Sequence, residues 1–281
     1  MSLDPSCLEN RLTTEERHHF ETNGYLVVDQ ALSSEQVDML TRCVDRIREK
    51  KLAEGFDPHE YFFFPNFIPE DDAFVDLIDN PRVFPKVWGI LGWNIYLYHA
   101  HFVVTPPRRV SQDQKPERKG FHQDSGRVNR EMEGSPRPRL SLKVGYSLEG
   151  DPAPGNGNLY IIPGAHLQNE IRYPDDGVSD PEAAMPVSID RGDAVIFDRR
   201  LWHSASPNWG ASTRKMLFYG YGYRWLRTKD DMTVQHLYPE LDPIRRQILG
   251  DGVNANGHFS PTDADVPLRS WLREHSPEAA E

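Results

Sequence analysis

His122 and Asp124, two residues apart in Gly120-Phe121-His122-Gln123-Asp124, have the types and spacing to hold a metal ion together. An extended chain turns residues i and i+2 to the same side, so both side chains can meet one ion. A second imidazole, His203, lies 81 residues on (203 − 122). Two histidines and one carboxylate cap one face of Fe(II) and leave the opposite face open for a co-substrate and O2. Arg214 follows His203 by 11 residues (214 − 203). Fe(II) with one aspartate keeps a single positive charge, and a 2-oxoglutarate dianion turns it into a single negative one. One buried guanidinium restores neutrality, and its planar fork can grip the far carboxylate. These four residues suggest a non-haem iron, 2-oxoglutarate-dependent oxygenase.

Each part alone is weak. The chain holds 11 histidines, and a lone histidine is more often a surface or satisfied core residue than a ligand. Arg214 alone could be an ion-paired strand residue. Three competing readings use the same residues: a cupin-like metalloenzyme (isomerase or cofactor-free dioxygenase) that does not use 2-oxoglutarate, a zinc hydrolase, and a non-catalytic jelly-roll binding protein. Zinc accepts His, His and Asp, but no glutamate stands in the helical arrangement of a zincin. A binding protein would not need all three ligands intact.

The elements that must position these residues fall into two styles. Leu12-Thr13-Thr14-Glu15-Glu16 reads as a helix start with Thr13 or Thr14 as cap. Gly24 ends that helix, and Tyr25-Leu26-Val27-Val28 is a short strand. Ser33-Ser34-Glu35-Gln36 opens a second helix with Val37, Leu40, Val44 and Ile47 on one face. Further helical pieces are expected from Ala73 to Ile78 and from Asn80-Pro81 to about Leu91. From Ile95 the pattern becomes strand-like, ending at Pro106-Pro107. More strands are expected at Arg139 to Leu148, Gly157 to Ile162, Ala194 to Phe197 and Arg214 to Trp225, separated by Gly- and Pro-rich turns. Many short strands with such punctuation predict a mainly β chain with a helical layer, built on a sandwich or jelly roll. With no linker in view, one domain is expected: a mostly helical part over 1–94, a barrel core over 95–230 and a C-terminal extension over 231–281.

The chain of 281 residues can bury a substantial core. Its 27% charged and 38% hydrophobic residues describe an ordinary globular protein. A net charge of −11, from 32 Lys and Arg against 43 Asp and Glu, argues against nucleic acid as a partner. No apolar run approaches a membrane span, and the N-terminus lacks a secretion-signal layout. Cys7 and Cys43 are too few and too far apart for a disulfide framework or a thiolate metal site. A cytoplasmic protein, monomer or homodimer, is expected, and a reducing compartment suits a ferrous centre.

The motif order resembles a known family. Gly120-Phe121-His122-Gln123-Asp124, then Gly157-Asn158-Leu159-Tyr160-Ile161-Ile162-Pro163-Gly164-Ala165-His166, then His203-Ser204-Ala205-Ser206-Pro207-Asn208 with Arg214, are similar to the phytanoyl-CoA dioxygenase (PhyH) family. Phe20-Glu21-Thr22-Asn23-Gly24-Tyr25-Leu26-Val27-Val28 is similar to that family's N-terminal entry, so the resemblance covers about residues 12 to 230. It implies a double-stranded β-helix core with Fe(II) on His122, Asp124 and His203. Arg214, helped by Ser206, would bind the C5 carboxylate of 2-oxoglutarate. Thr105 stands where the family often carries a lysine, and offers a hydroxyl instead. His166 belongs to the Pro-Gly-Ala-His turn and reads as structural. The intact Asp124 argues against halogenation. The resemblance further implies oxidative decarboxylation to succinate and CO2, coupled to hydroxylation of an unactivated C–H bond in a small-molecule metabolite.

The substrate pocket is harder to read. Two Arg-rich segments, from Pro106 through Lys119 and from Ser125 through Arg139, could form its lip. One or more of Arg127, Arg130 and Arg137 is expected to meet an anionic substrate, weighed against the commoner role of charge runs as solvated loop. Trp202 and Tyr219, near the expected mouth, could pack on an apolar or ring-containing substrate, although most aromatics in such a chain are core.

Overall fold

Thr13 caps the first helix, α1 (Thr14–Asn23), through a reciprocal pair: its hydroxyl accepts from Glu16 N at 3.1 Å, and the Glu16 carboxylate accepts from Thr13 N at 3.0 Å. Gly24 stops the helix at φ +84°, and a Cβ there would lie 2.6 Å from His166 Nδ1. Backbone and space both demand glycine. β1 (Tyr25–Val28) follows, and Ser33 with Gln36 repeats the capping pair at α2 (Ser34–Ala53). Val37, Leu40, Val44 and Ile47 of α2 are all buried, joined by Cys43. The computed structural model describes residues 3–109, 118–252 and 260–281.

The next helices are shorter than expected. α3 spans only Asp72–Val75. Asn80 does cap, accepting from Arg82 N at 2.9 Å, but it caps a turn, and α4 (Phe84–Leu91) starts beyond it.

The strands form two antiparallel sheets. With β1, the larger contains β2 (Phe62–Pro65), β3 (Ile95–Thr105), β4 (Ser141–Glu149), β7 (Ala194–Asp198) and β9 (Arg214–Tyr223), in the order β1-β7-β4-β9-β3-β2. The smaller holds β5 (Leu159–Ile161), β6 (Met185–Pro186) and β8 (His203–Ala205), in the order β6-β5-β8. α5 (Gly126–Glu131) leads toward β4, and α6 (Pro243–Ile248) and α7 (Pro267–His275) close the described chain. The result is a mainly β, helix-covered jelly roll with a double-stranded β-helix core. The first 94 residues are not only a helical layer, because β1 and β2 supply both edges of the larger sheet.

Strand parity sorts the side chains. Leu142, Val144 and Tyr146 of β4, with Leu217, Tyr219 and Tyr221 of β9, join the cluster that includes the α2 and α4 side chains. Residues of opposite parity, among them Val103, Val195, Phe197 and Met216, pack with Leu159 and Ile161 of the smaller sheet. The larger sheet is therefore covered on both faces, which explains apolar residues at both parities of β9. Among the described residues no helix is long and apolar enough to cross a membrane.

A buried carboxylate pins the turn between β7 and β8. Asp198 accepts from Arg200 Nε at 2.9 Å, Arg200 Nη2 at 2.7 Å and Arg139 Nε at 2.7 Å, and is itself fully buried. Burial alone would raise its pKa, but the hydrogen bonds and charges of Arg200 and Arg139 outweigh it and hold the carboxyl below its ordinary 3.8. Asp198→Ala leaves two guanidinium groups without their buried partner, and is expected to cost about 3–5 kcal/mol in urea unfolding. Because the folded pKa is depressed, this stabilisation is complete above the unfolded value and is lost as pH falls through the folded one. The wild type should therefore lose more stability than the variant on acidification below about pH 4. An identical acid profile for both would refute the assignment.

Candidate metal centre

His122 and His203 face each other across a single antiparallel rung. His122 N donates to His203 O at 2.9 Å, and His203 N donates to His122 O at 3.0 Å. Residues exchanging both backbone bonds put their side chains on one face as close neighbours, and the imidazole centroids lie 4.4 Å apart. Asp124 is two residues past His122, and its N–H donates to Arg199 O at 2.9 Å, out of register with that rung. One ligand atom from each of the three residues falls within 4.8 Å of the others. Bonds of about 2.0–2.2 Å to one ion require separations of at most about 4.4 Å, so the triad is preset to within small rotamer changes.

The ring nitrogens are assigned by their neighbours. His203 Nδ1 lies 2.8 Å from Leu201 O, and His122 Nδ1 lies 3.2 Å from Gly120 O. Each carbonyl holds the proton on Nδ1 and leaves Nε2 as the ligand atom. Burial, opposed by Asp124, lowers the His203 pKa to about 4, so the ring is neutral at physiological pH. Burial would raise the Asp124 pKa, but the charges of Lys143 and His203 and the Lys143 hydrogen bond hold it far below the usual carboxylate range. Both are in the form a metal binds. Asp124 Oδ2 is buried and has no partner in hydrogen-bond geometry. The donor set thus fits a divalent ion of the iron type.

Lys143 is the residue sequence reasoning missed. Its Nζ sits 2.9 Å from Asp124 Oδ1 and 2.7 Å from Oδ2, the second contact being an ion pair without hydrogen-bond geometry. The signal was a lysine in mid-strand, of opposite parity to Leu142, Val144 and Tyr146 and flanked on its own face by the small residues Ser141 and Gly145. It makes the site one charge more positive than the balance drawn from Fe(II), Asp124, 2-oxoglutarate and Arg214.

Arg214 opens β9 directly opposite Thr105 of β3. The residue is 3% exposed, and its guanidinium donates to Met216 Sδ at 3.5 Å. Among the described residues no carboxylate lies within ion-pair distance. Burial pushes its pKa down to about 10. Gly157 and Gly150 make room for the side chain, since a Cβ on either would lie 3.1 Å from its stem. Arg214, Thr105, His122, Asp124, Lys143 and His203 all line one cavity of about 290 Å³. A buried, carboxylate-free guanidinium in that cavity fits the far carboxylate of a dicarboxylate co-substrate. Ser206 is buried with an unpartnered hydroxyl, but it does not line the cavity.

The structure does not bring the expected substrate residues to this cavity. Arg127 pairs with Glu131 one turn along α5 at 2.6 Å. Arg137 hydrogen-bonds Asn169 O and Gln123 Oε1, and Arg130 is exposed on α5. Trp202 donates to Gln168 O at 3.0 Å and packs beside Phe121 and Ile162. None of the four is among the lining residues. Tyr219 faces the helical layer by strand parity, and its hydroxyl donates to Phe74 O at 2.9 Å. Residues 110–117 of the first Arg-rich lip lie outside the described residues. His166 is buried with Nε2 3.2 Å from Glu21 O, packed on Gly24 and apart from the triad.

The chain is similar to known proteins in sequence and in fold. The model of the family "Phytanoyl-CoA dioxygenase (PhyH)" matches residues 20–216. An ectoine dioxygenase from Stutzerimonas stutzeri (strain A1501) is 25% identical over 257 residues, covering 79% of this chain and 82% of that protein. The peroxisomal phytanoyl-CoA dioxygenase of Rattus norvegicus is 22% identical, covering 76% and 69%. Among solved structures, HygX from Streptomyces hygroscopicus with nickel and 2-oxoglutarate bound shares the fold with a TM-score of 0.59. It is 16% identical, with 77% of this chain and 89% of that one covered.

Proposed function

This chain belongs to the phytanoyl-CoA dioxygenase (PhyH) family and is an iron- and 2-oxoglutarate-dependent dioxygenase; from that premise we propose that His122, Asp124 and His203 are its iron ligands and Arg214 its co-substrate anchor. The reaction we assign is hydroxylation of an unactivated C–H bond in a small-molecule metabolite. The observation that carries this reading is one cavity lined by both the converged triad and the carboxylate-free Arg214. A cupin-like metalloenzyme that ignores 2-oxoglutarate has no use for such a buried guanidinium.

Iron, 2-oxoglutarate and O2 together supply an oxidant able to break a C–H bond, releasing succinate and CO2. The residues of this chain supply position, charge and exclusion of water. His122 and His203 present Nε2 because carbonyls hold their Nδ1 protons. Arg214 would hold the far carboxylate with its guanidinium fork, with Thr105 opposite it on the same cavity wall; Ser206, off that wall, is left without this role. Lys143 neutralises and orients Asp124. Val103, Met216 and Phe197 form an apolar wall that keeps water from the reacting groups.

The test is succinate formation from 2-oxoglutarate by the purified protein in air. Slow turnover that requires both added Fe(II) and 2-oxoglutarate is expected even before a substrate is found, and a true substrate should accelerate it. No succinate under these conditions would refute the assignment of the cavity.

A further inference from the structure

The same cavity carries a second set of polar groups that the iron chemistry does not use. Asp230 Oδ1 is hydrogen-bonded to His99 Nδ1, and Asp230 Oδ2 accepts from Ala100 N at 2.6 Å. His99 Nε2 in turn lies 2.8 Å from His101 Nδ1. Both histidines are buried, and both line the cavity. His101 is held flat between Phe218, stacked at 4.9 Å, and Phe63, stacked at 4.8 Å. Among the described residues nothing hydrogen-bonds its Nε2. These groups are not a second metal site, because among the described residues only His122, Asp124 and His203 converge closely enough.

We propose that Asp230, His99 and His101 form a relay that fixes an unprotonated His101 Nε2 on the cavity wall as the acceptor for a hydroxyl group of the substrate. The proposal rests on the reading of this cavity as the dioxygenase site and deepens it to a substrate class. The argument is one of donor and acceptor order. A carboxylate only accepts, so His99 carries its proton on Nδ1. A neutral His99 then has a bare Nε2, which must accept from His101 Nδ1–H. A neutral His101 is left with a bare Nε2. Burial lowers the pKa of both rings, outweighing the hydrogen bond and charge of Asp230 at His99 and the charge of Asp124 at His101, with Lys143 and Lys229 acting in the same direction as burial. Asp230 and His99 are positioning residues, and His101 is the group that touches the substrate.

Charge decides which donor the acceptor takes. Lys143, Lys229 and Arg214 line the cavity, against Asp124 as its lining acid. An ammonium group would enter a positively charged wall, whereas a hydroxyl would not. The flanking rings of Phe63 and Phe218 suit the carbon skeleton of an aliphatic or cyclic alcohol.

The test uses the full chain, loaded with 2-oxoglutarate and with Zn(II) standing in for Fe(II), and ¹⁵N-labelled at histidine. In the wild type both His99 and His101 should show protonated Nδ1 and bare Nε2. In Asp230→Asn the side-chain oxygen must still accept from Ala100 N, so the amide NH₂ faces His99 Nδ1. The order then inverts along the chain, and both histidines should show bare Nδ1 and protonated Nε2. Cyclohexanol should displace the wild-type His101 Nε2 signal, and methoxycyclohexane, which lacks the donor, should not. His101→Phe keeps the ring stack but loses the acceptor. It should weaken cyclohexanol about tenfold, the scale of one net hydrogen bond, and leave methoxycyclohexane unchanged. A protonated Nε2 on wild-type His101 overturns the proposal, as does an equal response, or none, to the two probes. A chain that fails instead in the parent reading makes no succinate, and its nitrogen spectrum is still read independently.

Discussion

His122→Ala is expected to strip iron from the protein and abolish succinate formation. Losing an outer partner of a metal ligand costs about 10–100-fold in affinity or activity, and losing a ligand itself should cost more. The position isolates the effect, because the His122 side chain is exposed and its Nδ1 bonds locally, to Gly120 O two residues back. A fold penalty beyond about 0.5 kcal/mol is not expected at such a site. Iron content after dialysis and succinate yield, measured beside urea unfolding, separate the two effects. A variant that keeps one iron per chain and normal turnover would remove His122 from the ligand set.

The second large effect is at Arg214. Truncating one partner of a buried, hydrogen-bonded charge pair costs about 2–5 kcal/mol, which is about 30-fold to several thousandfold in the KM for 2-oxoglutarate. Arg214→Lys should fall between wild type and Arg214→Ala, since an ammonium keeps the charge but not the fork. Stability should move the other way. With no carboxylate beside it among the described residues, the guanidinium is a buried charge that opposes folding of the ligand-free chain. Arg214→Ala should therefore be no less stable than wild type without 2-oxoglutarate, and should lose the protection that added 2-oxoglutarate gives the wild type. Equal KM values for the two proteins would sink the anchor role.

What could be read from the residues alone followed the range of the interactions. Capping pairs and apolar stripes act within four residues, so α1, β1 and α2 were legible, as were β3, β4, β7 and β9, each with apolar residues at alternating or successive positions. β2 and β6 were not, because four residues ending in Pro65 and two ending in Pro186 carry too short a pattern. The convergence of His122, Asp124 and His203 was legible because the first two stand two residues apart and the family motifs add His203. Lys143 gave only its parity, which acquires meaning once Asp124 is known to lie across from it. The relay was illegible: His99 and His101 stand two apart, but Asp230 lies 131 residues from His99 in a loop that no spacing rule connects to β3. Arg127, Arg130 and Arg137 lie off the cavity, and a charge run shows no sign of whether a neighbour such as Glu131 or Asn169 already occupies a guanidinium, as at Arg127 and Arg137.

The rung between His122 and His203 has a mechanical meaning. Two of the three donors cannot drift apart without breaking a pair of main-chain bonds, so gathering them is largely accomplished when the chain folds. An ion arriving late meets a finished template and need not organise a loop. Once seated, it would work as a rivet across the seam where the segment before α5 lies against β8, and the grip of the jelly roll at its open end would be tied to metal supply.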